Sequence, residues 1–203
     1  MSVFNAPRAN VVASWFTAIA VLLMLAACSG VGIVATADPY EKLAQAKHLE
    51  SAGRISRARQ VAADAAAEFE EKGDLKGLSQ AYRQIAFLIQ VYGEDTILAG
   101  DGGSGPAELS TERADASTAY LEKAVAIEEQ LGNDGILTSL HYSVGVNYAL
   151  SARPAQACAA FDRSLAAYRE AKRRQPGREA TLPPGFATFE ELIGQAKQEA
   201  GCL

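Results

Sequence analysis

Apolar residues recur every three or four positions over most of the chain, from about residue 38 to about residue 200. This spacing is that of an amphipathic helix, and the strict alternation that is typical of a β-strand is almost absent. The pattern therefore predicts an all-α fold.

Within this helical region, one arrangement of small and large residues occurs three times. Equivalent positions lie 40 residues apart, as from Ala46 to Ala86 and from Ala124 to Ser164, and the second copy carries an additional insertion of 19 residues. Small residues in such positions allow two helices to approach closely, so the pattern predicts three helical hairpins. The three copies are Ala46, Leu49, Ala58, Ala62 and Ala65; Ala86, Ile89, Ser117, Leu121 and Ala124; and Gly145, Tyr148, Ala157, Phe161 and Ser164.

A further helix is predicted at the C-terminus, within residues 177–203. The sequence Pro-Pro-Gly at 183–185 interrupts the helical pattern, and Thr188 with Glu191 forms the start signal of a capping box. Gly201 ends the helix, which we expect to cover the exposed face of the third hairpin. Its apolar stripe consists of Phe189, Leu192, Ile193, Ala196 and Ala200.

The first 27 residues have the organisation of an export signal. A short head with one cation, Arg8, precedes the apolar run 11–27, and small residues stand at its end. At 17 residues the run is marginal for crossing a bilayer core of about 30 Å. The last residues of the run and the cysteine that follows it read Leu25-Ala-Ala-Cys28, which is an aliphatic residue, two small residues and a cysteine.

This junction resembles the lipobox of bacterial lipoproteins. The resemblance implies a signal peptide at 1–27, cleavage before Cys28, lipidation of the Cys28 thiol and a tether at 28–38. Several acyl chains would anchor the protein stably to the cell envelope, facing the periplasm. Ser29, where an aspartate would favour inner-membrane retention, implies the outer membrane in a bacterium with two membranes. An uncleaved helix, or an ordinary signal peptide with a chance cysteine, is the alternative.

The hairpins resemble tetratricopeptide repeats of a longer-helix variant. The likeness lies in Val144-Gly-x-x-Tyr148 with Ala157-x-x-x-Phe161-x-x-Ser164, and in the stretch 120–132. It covers residues 39–176, interrupted by an insertion loop at 94–113, and implies a short α-solenoid of about three hairpins plus the C-terminal capping helix. The repeat is longer than the common length of about 34 residues. A different α-solenoid or a plain helical bundle remain the alternatives.

By this resemblance, the first helix of each hairpin lines a concave face that binds proteins or peptides. The leading hypothesis is a membrane-tethered adaptor or scaffold that binds an unknown envelope protein or peptide. The alternatives are an accessory or substrate-binding subunit of an envelope enzyme, with an enclosed polar pocket beneath the 94–113 insertion, and a structural lipoprotein that associates with itself. The expected partner-binding residues are Tyr40, Lys47, Arg83, Phe87, Gln90, Tyr142 and Val146, with Leu43, Glu50 and Leu150 on the same face.

Charge and cysteine content refine this picture. The net charge of −5 argues against nucleic acid as a partner, because phosphate binding requires a cationic face. Disulfides persist in exported proteins, and antiparallel packing of the last two helices would bring Cys158 beside Cys202. We therefore predict a disulfide between them; a buried free Cys158 and a frayed tail are the alternative.

Candidate chemistry is sparse. His48 and His141 have no cysteine or carboxylate at metal-ligand spacing, and the glycine-rich stretch 99–106 lacks the Gly-Lys-Ser/Thr of a phosphate-binding loop. Nucleophile motifs and paired carboxylates are not recognisable either. The sequence therefore predicts no metal, no cofactor and no enzymatic activity.

Overall fold

The computed structural model describes residues 36–93, 111–177 and 182–202. In these residues it contains α-helices and no strand, which confirms the predicted all-α class. The predicted signal peptide, Cys28, the tether up to residue 35 and residues 94–110 of the insertion lie outside the described residues. The helices are α1 (Pro39–Ser51), α2 (Ile55–Lys72), α3 (Leu75–Tyr92), α4 (Thr111–Leu131), α5 (Asp134–Leu150), α6 (Pro154–Arg174) and α7 (Phe189–Glu199).

Each helix packs against the next one along the chain, from α1 on α2 to α6 on α7. Turns of two or three residues join α1 to α2, α2 to α3, α4 to α5 and α5 to α6, so the helices of these pairs run antiparallel. Helices two apart also meet. α1 contacts α3, and the side chain of Gln90 on α3 hydrogen-bonds to Asn147 on α5.

All fifteen residues of the threefold pattern are buried. Helices α5 and α6 approach each other closely at Gly145, because a Cβ placed there would lie 2.5 Å from Cε1 of Phe161. In the second copy, Ser117 donates a hydrogen bond of 3.1 Å to the carbonyl oxygen of Ala86. The predicted role of small residues at the helix contacts is confirmed at these positions.

The turns between the helices also repeat. Gly53 and Ala152 hold equivalent places and both have positive φ, at 73° and 52°. The following amides donate back to the helices in the same way, from Arg54 to Leu49 at 2.8 Å and from Arg153 to Tyr148 at 2.9 Å. Alanine in the left-handed backbone conformation costs about 1 kcal/mol relative to glycine. The turn at Ala152 therefore has the same tight geometry although alanine is the less favourable residue there.

Two buried clusters form the core. The first joins α1, α2 and α3 with Ile127 of α4, and alanines supply much of it. The second joins α4, α5, α6 and α7 with Ala86 of α3, and contains the larger rings of Phe161, Tyr168 and Phe189. α3 and α4 each contribute to both clusters, so the second hairpin belongs to both parts of the core.

The C-terminal helix begins where the sequence predicts. The Thr188 hydroxyl accepts a hydrogen bond of 3.1 Å from the amide of Glu191, and the Glu191 carboxylate accepts one of 3.0 Å from the amide of Ala187. In a standard capping box the carboxylate accepts from the amide of the N-cap residue, which is Thr188 here. The observed bond is therefore one residue earlier. α7 packs on α6, where the ring centroids of Tyr168 and Phe189 are 4.7 Å apart.

The predicted insertion loop is too long at its C-terminal end. α4 begins at Thr111, so residues 111–113 of the expected loop are helical. Ala114 is completely buried and its carbonyl oxygen accepts a hydrogen bond of 2.7 Å from the Thr118 hydroxyl. This contact places Ala114 within regular helix, and the helix therefore starts before it.

Across the three described ranges, no helix is both long enough and apolar enough to cross a bilayer.

The close contact at Gly145 predicts a specific sensitivity. Gly145→Ala should lower the free energy of unfolding by about 2 kcal/mol, because the added methyl group overlaps the Phe161 ring in a packed core. Gly194→Ala is the matched control, since this glycine is also helical but has open space around it. It should raise the free energy of unfolding by up to about 1 kcal/mol. Denaturant titration of both variants measures the difference, and equal effects would contradict the close packing.

Candidate binding groove

Three of the predicted partner-binding residues line one groove between α1 and α3. Lys47 comes from α1, and Arg83 and Phe87 come from α3. The groove is open to solvent and has a volume of about 520 Å³. Its remaining lining residues are Glu50 and Ser51 from α1, and Gln80 and Gln84 from α3.

The groove follows from the spacing of polar residues along α3. Arg83 and Gln84 stand three and four positions after Gln80 and four and three before Phe87, so the four side chains share one face of the helix. Ile85, which follows Gln84 in the sequence, is 2% exposed and belongs to the core. α3 packs against α2 and α4, and the face bearing these four residues turns towards α1.

Phe87 is the apolar contact point of the groove. Its side chain is 47% exposed, a larger fraction than that of Tyr40, Leu131 or Leu150, the other large exposed apolar residues of the described chain. An exposed aromatic ring beside a concavity can bury its surface against a bound molecule, at a gain of about 25 cal/mol for each Å² covered. This makes Phe87 the natural apolar anchor of the site.

Gln84 is the unusual polar residue of the groove. It is only 7% exposed, yet neither its amide oxygen nor its amide nitrogen has a hydrogen-bond partner among the described residues. An unpartnered buried amide costs about 1–3 kcal/mol. Gln84 lines the groove while both amide atoms are themselves buried, so one acceptor and two donor hydrogens are not used within the described fold.

The charged residues of the groove are also unengaged. Lys47, Glu50 and Arg83 take no part in the ion pairs and side-chain hydrogen bonds of the described part of the chain. With two cations and one carboxylate, the lining carries a net charge of +1, opposite in sign to the −5 of the whole sequence. The groove is therefore a locally positive site on an acidic protein.

Gln90 lies outside the groove and is bonded within the protein. Its amide nitrogen donates a hydrogen bond of 3.1 Å to the amide oxygen of Asn147, which is completely buried. The Asn147 amide nitrogen has no described partner. Gln90 therefore serves to join α3 to α5.

Tyr40 is likewise placed elsewhere. Its ring packs edge-on against Phe69 with centroids 4.7 Å apart, and its hydroxyl donates a hydrogen bond of 2.7 Å to the Asp74 carboxylate. Asp74 also caps α3 by accepting from the Gly77 amide at 2.9 Å. The hydrogen bond to Asp74 raises the pKa of Tyr40, while the Gly77 amide and then the Tyr40 hydroxyl lower the pKa of Asp74. Tyr40 thus supports the start of α3.

Tyr142 and Val146 are half-buried against the second core cluster. The Tyr142 ring lies 6.0 Å from that of Phe161, and burial raises the pKa of the Tyr142 hydroxyl. Leu43, which was expected on the concave face, is 2% exposed and belongs to the core, so that expectation is wrong. The predicted residues therefore divide between one groove and several internal contacts.

Sequence reasoning missed Gln84, together with Gln80 and Ser51. A signal was present, because Gln84 stands four residues after Gln80 and three before Phe87, on the same predicted helix face. A glutamine usually indicates a solvated surface position, however, and its burial here depends on tertiary packing.

The structure joins Cys158 to Cys202 in a disulfide bond, with an S–S distance of 2.09 Å and Cα atoms 5.6 Å apart. Cys158 lies in the second turn of α6 and Cys202 lies just beyond α7. The bond therefore holds the end of the C-terminal helix against the beginning of α6, which is the pairing that the sequence predicts.

The two histidines are not part of the groove. His48 is exposed, whereas His141 is 6% exposed. Burial, assisted by Arg163, lowers the pKa of His141 although Glu129 acts in the opposite direction. Within 36–93, 111–177 and 182–202, no three or more His, Cys, Asp or Glu side chains are grouped so that they could hold a metal ion.

Comparison of the chain with protein-family models, with curated proteins and with solved structures finds no match.

The disulfide should contribute strongly to stability, because it closes a loop between residues separated by 44 positions. Replacing Cys158 and Cys202 together by serine should lower the free energy of unfolding by up to about 4 kcal/mol. Denaturant titration with and without reductant measures this. The reductant should destabilise the wild type and leave the double variant unaffected. Alkylation of Cys158 and Cys202 in the unreduced, unfolded wild type would contradict the bond.

The unpartnered amide of Gln84 leads to a second prediction. Gln84→Met keeps the length of the side chain and removes two buried polar atoms, so it should raise the free energy of unfolding by about 1 kcal/mol. Gln90→Met is the control. It removes the bond to Asn147 and should lower stability by a similar amount. If Gln84→Met destabilises the protein as much as Gln90→Met does, the Gln84 amide is satisfied in the free protein.

Proposed function

We propose that this protein is a membrane-tethered adaptor of the bacterial cell envelope that binds a partner protein or peptide through the groove between α1 and α3. The observation that carries the proposal is the half-exposed Phe87 in an open, locally positive groove. Binding sites for polypeptides combine an apolar anchor with polar groups at their rim, and the groove offers both.

The finer architecture belongs to the same proposal. A short α-solenoid of three tetratricopeptide-like hairpins is supported by the burial of the fifteen repeated positions and by the equivalent turns at Gly53 and Ala152. The contacts of α1 with α3 and of α3 with α5 further support it, because first helices of successive hairpins adjoin in a solenoid. The groove would then lie on the concave side.

The membrane tether rests on the sequence Leu25-Ala-Ala-Cys28 and its resemblance to a lipobox. In this proposal, a lipid on Cys28 anchors the helical domain to the envelope, facing the periplasm. The disulfide between Cys158 and Cys202 supports an exported protein, since such bonds persist in oxidising compartments.

An accessory subunit that binds a small substrate, the alternative from the sequence, requires an enclosed polar pocket. The groove is open instead, and residues 94–110 of the 94–113 insertion, which was predicted to roof such a pocket, lie outside the described residues. An open groove with a half-exposed aromatic ring suits a polypeptide better, because one side of an extended chain can lie in it while the other stays in solvent.

Site-specific photo-crosslinking in living cells of the source bacterium tests the proposal. A photoreactive phenylalanine analogue at position 87 should capture a partner protein. The same analogue at position 131 is the matched control, since Leu131 is similarly exposed at 44% but lies outside the groove. The protein that is not crosslinked should remain with the membrane fraction in the wild type and leave it in Cys28→Ala. Equal crosslinking at both positions, or none at position 87, would refute groove binding.

A further inference from the structure

The chemistry of the groove indicates what kind of segment it binds. Gln84 is more than nine-tenths buried, lines the groove and has both ends of its amide unpartnered among the described residues. The main chain of one extended residue would complement such an amide once the Gln84 side chain turned towards the groove, because the C=O and N–H of that residue point to the same side and would accept from Nε2 and donate to Oε1. Two parallel hydrogen bonds of this kind would satisfy the wall of the groove with main-chain groups of a partner.

We infer that the groove binds an internal, extended segment of a partner protein in which a carboxylate side chain stands near an apolar one. The inference rests on the proposed function and specifies the ligand of the same site. Gln84 would pair with the main chain, Lys47 and Arg83 would bind the carboxylate, and Phe87 would contact the apolar side chain.

The charge of the groove lining determines which charge the bound side chain should carry. Lys47 and Arg83 are not engaged by acidic residues of the described chain, and Glu50 is the single carboxylate of the lining. An acidic side chain meets complementary charge there, whereas a basic one would face two cations. A net charge of +1 is too small for a nucleic acid, whose binding requires several phosphate contacts.

The length of the groove sets the length of the segment. Gln80 and Phe87 are two helical turns apart on α3, which corresponds to about 10 Å at a rise of 1.5 Å per residue. An extended chain advances by about 3.3 Å per residue, so about three residues of the partner occupy the groove. The carboxylate and the apolar side chain would then stand within three positions of each other.

A peptide selection tests this inference. Full-length protein in nanodiscs is offered a random library of short peptides that are acetylated at the N-terminus and amidated at the C-terminus. Blocked ends leave side chains as the only source of carboxylate. The wild type should enrich peptides with Asp or Glu within three positions of Leu, Ile or Phe. The charge-reversed variant Lys47→Glu/Arg83→Glu should enrich Lys or Arg in place of the acid.

Several results would overturn the inference. Enrichment of basic or uncharged peptides by the wild type would contradict the sign of the charge, and an unchanged preference in the reversed variant would remove Lys47 and Arg83 from the site. Binding only after the C-terminal carboxylate is freed would show that the groove takes a chain end. Absence of any selected peptide would also count against it.

Affinity measurements on the best selected peptide separate the individual contacts. Gln84→Met should weaken binding about five- to tenfold, as expected for the loss of hydrogen bonds, without loss of fold stability. Arg83→Gln should weaken it about threefold and reduce its dependence on salt. Lys76→Gln is the control, because Lys76 is an exposed lysine on α3 that does not line the groove, and it should leave affinity unchanged. An affinity that is equal in Gln84→Met and wild type would exclude main-chain pairing by Gln84.

Failure of this inference can be distinguished from failure of the proposed function. If position 87 captures a partner in cells but the selection shows no acidic preference, the adaptor role stands and the ligand chemistry is wrong. If neither experiment detects binding, both proposals fail together.

Discussion

Small side chains set the distance between the helices of this protein, and the other features of the fold depend on that distance. Where Gly145 lies beneath the Phe161 ring, a single additional carbon would overlap the ring. In the first hairpin the equivalent position to Phe161 is Ala62, which is completely buried, so the helices there pack through alanines. The core therefore combines small side chains at the closest helix contacts with large rings, such as Phe69 and Phe161, that fill the space beside them.

The groove is a consequence of the same geometry. α1 and α3 are close enough to make contact, and the polar face of α3 is directed towards that contact. Gln84 on this face is buried without acquiring a hydrogen-bond partner among the described residues. An unsatisfied amide opposes folding, and in the proposed function this cost is offset when a bound segment pairs with the amide.

Much of the architecture could be predicted because it depends on local rules. The repeated small residues located the helix contacts, and Thr188 with Glu191 marked the start of α7. The composition of the groove could not be predicted in the same way. Whether Tyr142 faces a partner or Phe161 depends on the rotation of α5 relative to α6. The helical spacing of apolar residues does not determine that rotation.

Tether and groove complement each other in the proposed function. A site that covers about three residues of an extended chain offers few contacts, and its intrinsic affinity is correspondingly modest. A lipid on Cys28 would confine the domain to the membrane surface, where a partner in the same membrane is present at a high effective concentration. Weak, charge-selective binding then suffices for occupancy, and it allows the partner to exchange. In this proposal the physical requirement for a strong site would fall, because the anchor would limit the volume in which adaptor and partner meet.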